Sequence, residues 1–465
     1  MTYNILADTD SYKLSHFLQY PPDTASMSSY IEARKDSTIF FGLQMILGEC
    51  LHQLTQEDVD EMKEFEGHGL PINIAGFQRI IDKHYGFLPV KIEALLEGTY
   101  VPAGVPMVQV VNTDPEMAWL TSYLETALLR VWHPTTVATR SFKIRKLIRS
   151  YLDTTSDEPA GAELFKLHDF GSRGASSGLS AGIGGCAHLA IFRGTDTLQA
   201  LQMAKFHYHE PMAGFSIPAA EHSTITAWGR DGEEDAYQNM IRQFGKPGAM
   251  FAVVSNSYDL DNAVRNIWCG SLLEEVKASG ATLVVRPDSG DPTIIPVQTI
   301  KALAEKFGFS FNSKGYKVLH PSVRVIQGDG INETSIHKIL MNLMREGFSA
   351  DNIAFGMGGE LLQNMSRDTH SFAMKASARE DTSGVWHDVY KDPVTDTRKR
   401  SKAGRQAVIW DDGMLKAIRL EELNGRENLL QPVWENGELQ RFETLAQIRE
   451  LVGQALEYAL LKSAA

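Results

Sequence analysis

Cysteine is scarce in this chain. Its 465 residues include three, Cys50, Cys186 and Cys269. They are far apart and form no CxxC or Cys/His cluster, which excludes a disulfide framework and a zinc site of the usual spacing. Cys186 lies in an apolar Gly/Ala run and reads as a small buried residue. Positive charge is also in deficit: 45 Lys and Arg against 58 Asp and Glu leave a net charge of −13. An anionic surface repels the phosphate backbone, so no nucleic-acid partner is expected, although a local basic pocket for a phosphorylated substrate remains open. No apolar run approaches the ~20 residues that span a bilayer. The opening MTYNILADTDSYK has neither the basic region nor the apolar stretch of a signal peptide. The expectation is a soluble cytoplasmic protein with no membrane association. The P-loop pattern GxxxxGK[ST] and the nucleophile elbow GxSxG are both absent, as are internal repeats and low-complexity segments.

The length suits two domains, or one barrel with an appended domain, and a core that needs no disulfide. Residues 1–160 mix helical and strand-like stretches. Positions 41–54 are helix-like, and 116–131 places Met117, Leu120, Leu124 and Leu128 on one helical face. Short strands are expected at 90–98, 99–102 and 107–111. Over 161–379 a short apolar run repeatedly ends in a polar or glycine-rich turn. The series reads LFKLHDFGSRG, LAIFRGTDT, GFSIPAAEHST, MFAVVSNSYD, TLVVRPDSGD, VRVIQGDG and IAFGMGG. Helical stretches follow at 261–278, 296–307 and 334–346. Strand, polar loop and helix in repetition predict parallel βαβ units, and so many strand ends favour an α/β barrel with its active site at the strands' carboxyl ends. Residues 380–465, loop-like and basic at first and helical over 444–461, are expected to pack back on the N-terminal domain.

The polar turns hold the chemistry. GMGGELL, residues 356–362, follows a strand; glycines there let backbone N–H groups approach an anion, and a helix start would add a favourable dipole. A tight turn alone is the blander reading, and the nearby Arg367 and Lys375 favour phosphate. RPDSGDP and QGDG set Asp288 and Asp329 in sharp turns on successive strands. Carboxylates suit ribose hydroxyls, magnesium or an oxocarbenium-like sugar, although an Asp in a turn often only caps its own backbone. His222 in PAAEHSTITAW is either structural or, beside Glu221 and Ser223, a nucleophile or acid/base. Arg173 follows the first barrel strand and could hold an anion. RKRSKAGR, residues 398–405, is a solvated loop, a nucleic-acid patch or a pyrophosphate clamp. Tyr12 and Phe170 gain meaning where a flat heterocycle must be stacked.

Together, TDSYKLSH, NTDPE, KLHDFGSRG, FRGTDT, PAAEHSTITAWG, VVSNSYD, RPDSGDP, RVIQGDG, IAFGMGG, KDPV and KRSKAGR closely resemble the nicotinamide phosphoribosyltransferase family nearly end to end. The resemblance implies a type II phosphoribosyltransferase fold: an α/β barrel-like domain and a mixed α+β domain built from both chain ends. It also implies a homodimer with shared active sites. The substrates would be nicotinamide and 5-phosphoribosyl 1-pyrophosphate (PRPP), with ATP as co-substrate and magnesium carried by the phosphates. Phe170, and Tyr12 of a second copy, would sandwich nicotinamide. Asp196 would accept from its carboxamide, and Arg173, Ser216 and Ile217 would line the same pocket. Arg286, Pro287, Asp288, Gly328 and Asp329 would meet ribose and nucleotide phosphate, and Gly358, Gly359 and Arg367 the 5′-phosphate. Arg34, Lys375, Lys391 and Lys399 would neutralise pyrophosphate, with Arg173, Arg286 and His222 on the pyrophosphate/ATP side. His222 would be phosphorylated by ATP, with Asp259 orienting its imidazole.

Ser172, Asn256 and Glu360 depart from the family pattern, Glu360 by placing a charge beside the phosphate-loop glycines. Nicotinate phosphoribosyltransferase and a non-catalytic nucleotide-binding regulator are the alternatives. Asp196 argues against the first, because a carboxylate facing nicotinate repels it. His222, Asp288, Asp329 and Arg367 together argue against the second.

Overall fold

A computed structural model describes residues 3–395 and 400–464, so Lys399 lies outside the described residues. The chain divides into two compact units. One comprises Met1–Thr139, Phe206–Glu210 and Met365–Ala455, the other Arg140–Lys205, Pro211–Asn364 and Leu456–Ala465.

The first unit is built on a seven-stranded sheet. Its order is Trp386–Asp388, Ala373–Asp381, Thr24–Glu32, Pro106–Asn112, Val90–Ala94, Gln431–Glu435 and Glu438–Leu439, every pair antiparallel. Thr24–Glu32 is an interior strand, buried along most of its length. Val90–Ala94 instead alternates buried Val, Ile and Ala with half-buried Lys and Glu, the pattern of a strand with one covered face. Ala373–Asp381, which the sequence reading places in the barrel domain, pairs with Thr24–Glu32. The face formed by Met117, Leu120, Leu124 and Leu128 is fully buried. The backbone carrying it breaks into Pro115–Met117, Leu120–Tyr123 and Glu125–Leu129 rather than one helix. A 24-residue helix, Trp132–Thr155, has no counterpart among the sequence expectations. Its threonines lower intrinsic propensity, but they bond the neighbouring extended chain: Thr135 Oγ1 donates to the Phe41 carbonyl at 2.9 Å, and Thr139 Oγ1 accepts from Ile39 N–H at 2.9 Å.

Glu97 is buried in this unit beside Glu443. Its carboxyl accepts from the Gly42 and Gln44 amides, each at 2.7 Å, and from Tyr208. Glu443 has a counter-charge, Arg441 Nε at 2.7 Å from its Oε1. Burial, then the Glu443 charge, pushes Glu97 up to about 7. The folded state therefore keeps a proton that the unfolded chain releases at the ordinary carboxylate value, so stability is greatest below that value and declines as pH rises toward about 7. Thermal denaturation between pH 5 and 8 is expected to show this decline. Glu97→Gln is expected to flatten it, whatever its absolute midpoint; an unchanged slope would show that Glu97 is not the group responsible.

The second unit holds a six-stranded parallel sheet. Its order is Gly194–Thr195, Leu167–Asp169, Ile353–Met357, Val323–Gln327, Thr282–Arg286 and Met250–Val254. Residues 215–219 join its two edges. Phe215 N–H donates to the Arg193 carbonyl and its own carbonyl accepts from Thr195, while Ala252 N–H donates to Pro218 and Ala220 N–H to Ala252. The apolar runs of the sequence thus supply the staves of one barrel-like wall, except that LAIF of LAIFRGTDT lies at the end of the helix Gly178–Leu189 and only Gly194–Thr195 after it is strand. Helices Ile295–Phe307 and Glu333–Arg345 stand where expected. The stretch 261–278 differs, because Ala263–Ser271 is a π-helix. Within it the buried Trp268 stacks on Tyr237 with ring centroids 4.6 Å apart and donates to Ser255 Oγ at 3.0 Å.

Candidate active site

One layer of side chains inside the barrel is formed by Ala252, Val284 and Ile326, with Phe170, Ile217 and Ala354 packed against it. Two of the staves contribute only alanine, so the interior is not filled, unlike the solid core of a larger barrel. A cavity of about 840 Å³ runs through it. At the strands' carboxyl ends it is lined by Phe170, Ser172, Arg173, Asp196, Ser216 and Arg286; at the opposite end by Phe165, Met250, Arg324 and Asp351. Lys166 lines that far end too, its ammonium pushed down to about 8 by burial and its Nζ donating to the Asp351 carbonyl at 2.9 Å.

The residues around Phe170 are locally fixed. Asp169 is buried, accepts from Gly171 N–H at 2.8 Å and takes a bond from Thr195 Oγ1 at 3.3 Å. Burial raises its pKa. Phe170 N–H donates to the Met357 carbonyl at 2.9 Å. Its ring lies on Gly356 so closely that a Cβ there would stand 2.0 Å from Cε2, so only glycine fits. Asp196 N–H donates to the Asp169 carbonyl at 2.9 Å, and Ser216 Oγ donates to the Asp196 carboxylate. Phe170, Arg173, Asp196, Ser216 and Ile217 therefore share one cavity wall.

His222 opens the helix His222–Thr226 and is half exposed. Its Nε2 lies 3.4 Å from Asp288 Oδ2, and its Nδ1 lies 3.1 Å from Ser257 Oγ. Arg286 Nη2 donates to the same Asp288 oxygen at 3.2 Å. Asp288 sits at φ +56°, a left-handed backbone that Asp tolerates better than most residues, after the buried Pro287. A Cβ on Gly328 would meet Asp288 Oδ1 at 3.2 Å and the Phe170 ring at 3.7 Å, so Gly328, Asp288 and Phe170 are neighbours. Asp329 is exposed, and its carbonyl accepts from Gln327 Nε2.

Asp259 does not take the place the sequence reading gives it. Its side chain caps the helical turn Leu260–Asn262, accepting from Asn262 N–H at 3.1 Å, and Ser257 holds the imidazole instead. The hydroxyl was readable in VVSNSYD only as a polar residue at a strand end. Gly358 and Gly359 enter a helix of one turn, Gly359–Leu362, too short to contribute much of a dipole.

The remaining expected residues belong to the other unit. Lys375 is pushed down by burial, against the opposing charge of Glu125, and further by Arg34, Lys391 and Arg367, so these cations lie within electrostatic reach of it. Arg34 Nε lies 3.0 Å from Glu32, and Arg367 pairs with Asp368 at 2.7 Å. Glu32, buried, also binds Lys402, a contact 370 residues apart in sequence that no motif announced. Tyr12 lies on the 3₁₀ helix Ser11–Leu18 and is 57% exposed. Among the described residues no group of three or more His, Cys, Asp or Glu could hold a metal ion, and no helix is long and apolar enough to cross a membrane.

The chain matches the nicotinate phosphoribosyltransferase (NAPRTase) family over residues 165–438 and the nicotinamide phosphoribosyltransferase N-terminal domain over 4–92. It is 51% identical over 457 residues to the nicotinamide phosphoribosyltransferase of Xanthomonas campestris pv. campestris, covering 96% of this chain and 97% of that one. It is 32% identical to the enzyme of that name from Acinetobacter baylyi, covering 98% of both. In fold it resembles nicotinate-nucleotide pyrophosphorylase from Pyrococcus furiosus (TM-score 0.59, 17% identity, 98% of this chain and 96% of that one). Human nicotinic acid phosphoribosyltransferase is similarly alike (TM-score 0.58, 18% identity, 97% and 93%). The type II phosphoribosyltransferase fold expected from the motifs is borne out. This chain belongs to the nicotinate phosphoribosyltransferase family, among relatives that are nicotinamide phosphoribosyltransferases.

Proposed function

We propose that this phosphoribosyltransferase transfers the phosphoribosyl group of PRPP to nicotinamide, giving nicotinamide mononucleotide and pyrophosphate for NAD synthesis in the cytoplasm. The observation that carries this reading is Phe170 beside Asp196 and Ser216 on one cavity wall. It offers a flat face for a pyridine ring and a carboxylate to accept from a carboxamide N–H₂. Nicotinate would bring its own carboxylate toward Asp196, a like-charge contact that disfavours it.

In the transfer, the pyridine nitrogen bonds to C1 of the ribose while the C1–oxygen bond to pyrophosphate breaks. Positive charge develops on the sugar and negative charge on the leaving group. Asp288, anchored by Arg286, is the carboxylate for the ribose and its developing cation. Arg34, Lys375, Lys391 and Arg367 supply fixed positive charge for the phosphates. Lys399 belongs to the same assignment. Magnesium, if carried in on the donor's phosphates, would add to their neutralisation.

ATP enters as a co-substrate whose γ-phosphoryl passes to His222, the bond to the ADP oxygen breaking as the N–P bond forms. Asp288, on the Nε2 side, only accepts and so favours the proton there. Nδ1 then carries the lone pair, accepting from Ser257 until phosphate displaces it. A product assay with nicotinamide or nicotinate, with and without ATP, tests the reading. Nicotinamide mononucleotide, formed faster with ATP, is expected. Preferential formation of nicotinate mononucleotide, or no nucleotide at all, would overturn it.

The functional assembly in this reading is a homodimer in which Tyr12 of one copy faces Phe170 of the other. Tyr12→Ala and Asp288→Ala homodimers are each expected to be nearly inactive. An equimolar mixture re-equilibrated into dimers should regain about a quarter of native activity, because about half of its dimers are mixed and each of those has one of its two sites carrying both native residues. Mixed dimers that form but stay inactive would refute the shared site.

A further inference from the structure

The turn after Ile353–Met357 carries a carboxylate beside the glycines expected to cradle a phosphate. Glu360 follows Gly358 and Gly359 directly, and an unbalanced charge there would repel an anion. Arg140, on the helix Trp132–Thr155, offsets it. Its Nη1 donates to the Glu360 carbonyl, and its Nη2 donates to the Asn364 carbonyl at 2.9 Å. Nη1 also lies 3.7 Å from Glu360 Oε1, and Asn364 Nδ2 donates to Oε2. One guanidinium therefore ties both ends of the turn and faces its carboxylate. The turn's other side is packed on the 171–174 loop, where a Cβ on Gly174 would stand 2.8 Å from Gly359 Cα.

Arg140 and Glu360 both line a cavity of about 500 Å³, together with Gly330, Asn332 and Met357. Its charged lining residues are Arg140, Lys338, Glu333 and Glu360, two of each sign. The Arg140 side chain is 20% exposed, and arginine keeps its charge under such burial. The lining of the cavity is thus neutral while Arg140 and Glu360 are both present. Without Arg140 the net charge is −1, without Glu360 it is +1, and without both it returns to zero.

We propose that Arg140 is the positioning residue of the 358–364 turn and, paired with Glu360, sets the charge that the donor's 5′-phosphate meets there. This rests on reading the turn as that phosphate's site. A single unbalanced charge several ångströms from a phosphate, partly solvated, changes affinity about tenfold. In steady-state kinetics on the full chain, Arg140→Gln is expected to raise the PRPP KM about tenfold. The nicotinamide KM and kcat should stay within about twofold, since uniform binding is what is lost. Glu360→Gln alone should lower the PRPP KM, and the double variant should return to within about threefold of the native value. A purely structural Arg140 gives a different pattern: the double variant is no better than Arg140→Gln, and activity follows thermal stability. That result, or an unchanged PRPP KM in Glu360→Gln, overturns the inference. Gly358→Ala separates the two layers. If it leaves the PRPP KM unchanged, the phosphate-site reading fails. If it raises the PRPP KM while Arg140→Gln does not, the site stands and the role of Arg140 falls.

Discussion

His222→Ala is expected to abolish nicotinamide-stimulated ATP hydrolysis, a loss of about 10³-fold or more, because the reaction loses its nucleophile. Nucleotide synthesis at saturating PRPP should persist weakly, since that bond change does not pass through the imidazole. A structural role predicts something else. The side chain is 48% exposed, so a purely structural histidine replaced by Gln or Asn should cost about 1 kcal/mol or less and leave ATP hydrolysis nearly intact. Neither amide can replace a ring nitrogen as phosphate acceptor. Ser257→Ala is the graded companion: the nucleophilic Nδ1 stays, but the hydroxyl that orients the ring before phosphate arrives is lost, and the misorientation should lower the ATP-dependent rate about tenfold. The native chain incubated with γ-labelled ATP should acquire a base-stable, acid-labile phosphate. The same label at the same level in His222→Ala would return this histidine to a structural role.

The barrel was legible because its strands are buried on both faces, which turns each into a short apolar run stopped by a polar turn. Leu167–Asp169, Met250–Val254, Thr282–Arg286, Val323–Gln327 and Ile353–Met357 all stand where such a run was read. Residues 215–219 were read too, although their stave is held by isolated bridges rather than a full ladder. Trp132–Thr155 escaped because propensity is local while the bonds that use its threonines come from residues about a hundred positions earlier. Side-chain partnership was least legible. VVSNSYD offers several oxygens, and backbone geometry decided that Ser257 meets the imidazole while Asp259 caps its own helix. The neutralisation of Glu360 by Arg140 joins positions 220 residues apart and left no mark in either motif. Short motifs can say which atoms gather at the carboxyl end of a barrel, but not which of them balance one another's charge.

Base selection should respond strongly to a single carboxylate. Asp196→Asn or Asp196→Ser is expected to lower kcat/KM for nicotinamide and raise the relative use of nicotinate, shifting their ratio by about 10²-fold. Two effects add. The acceptor for the carboxamide N–H₂ is weakened or lost, leaving a donor unpaired in a partly closed cavity. The negative charge that nicotinate's carboxylate would face is also removed, and with it the penalty against the acid. Asn and Ser separate these contributions, because Asn keeps an oxygen at similar reach whereas Ser keeps neither reach nor charge. If repulsion dominates, the two variants should relax discrimination equally; if the hydrogen bond dominates, Asn should retain most of the nicotinamide efficiency. Ser216 donates to the same carboxylate, so Ser216→Ala should move the ratio in the same direction by only a few-fold, as expected for one neutral hydrogen bond. The Phe170 ring lies over Gly356 and takes no part in this polarity. Phe170→Leu should therefore raise the KM for both bases together and leave their ratio near the native value. A nicotinamide-to-nicotinate ratio that does not move in either Asp196 variant would remove this carboxylate from base recognition.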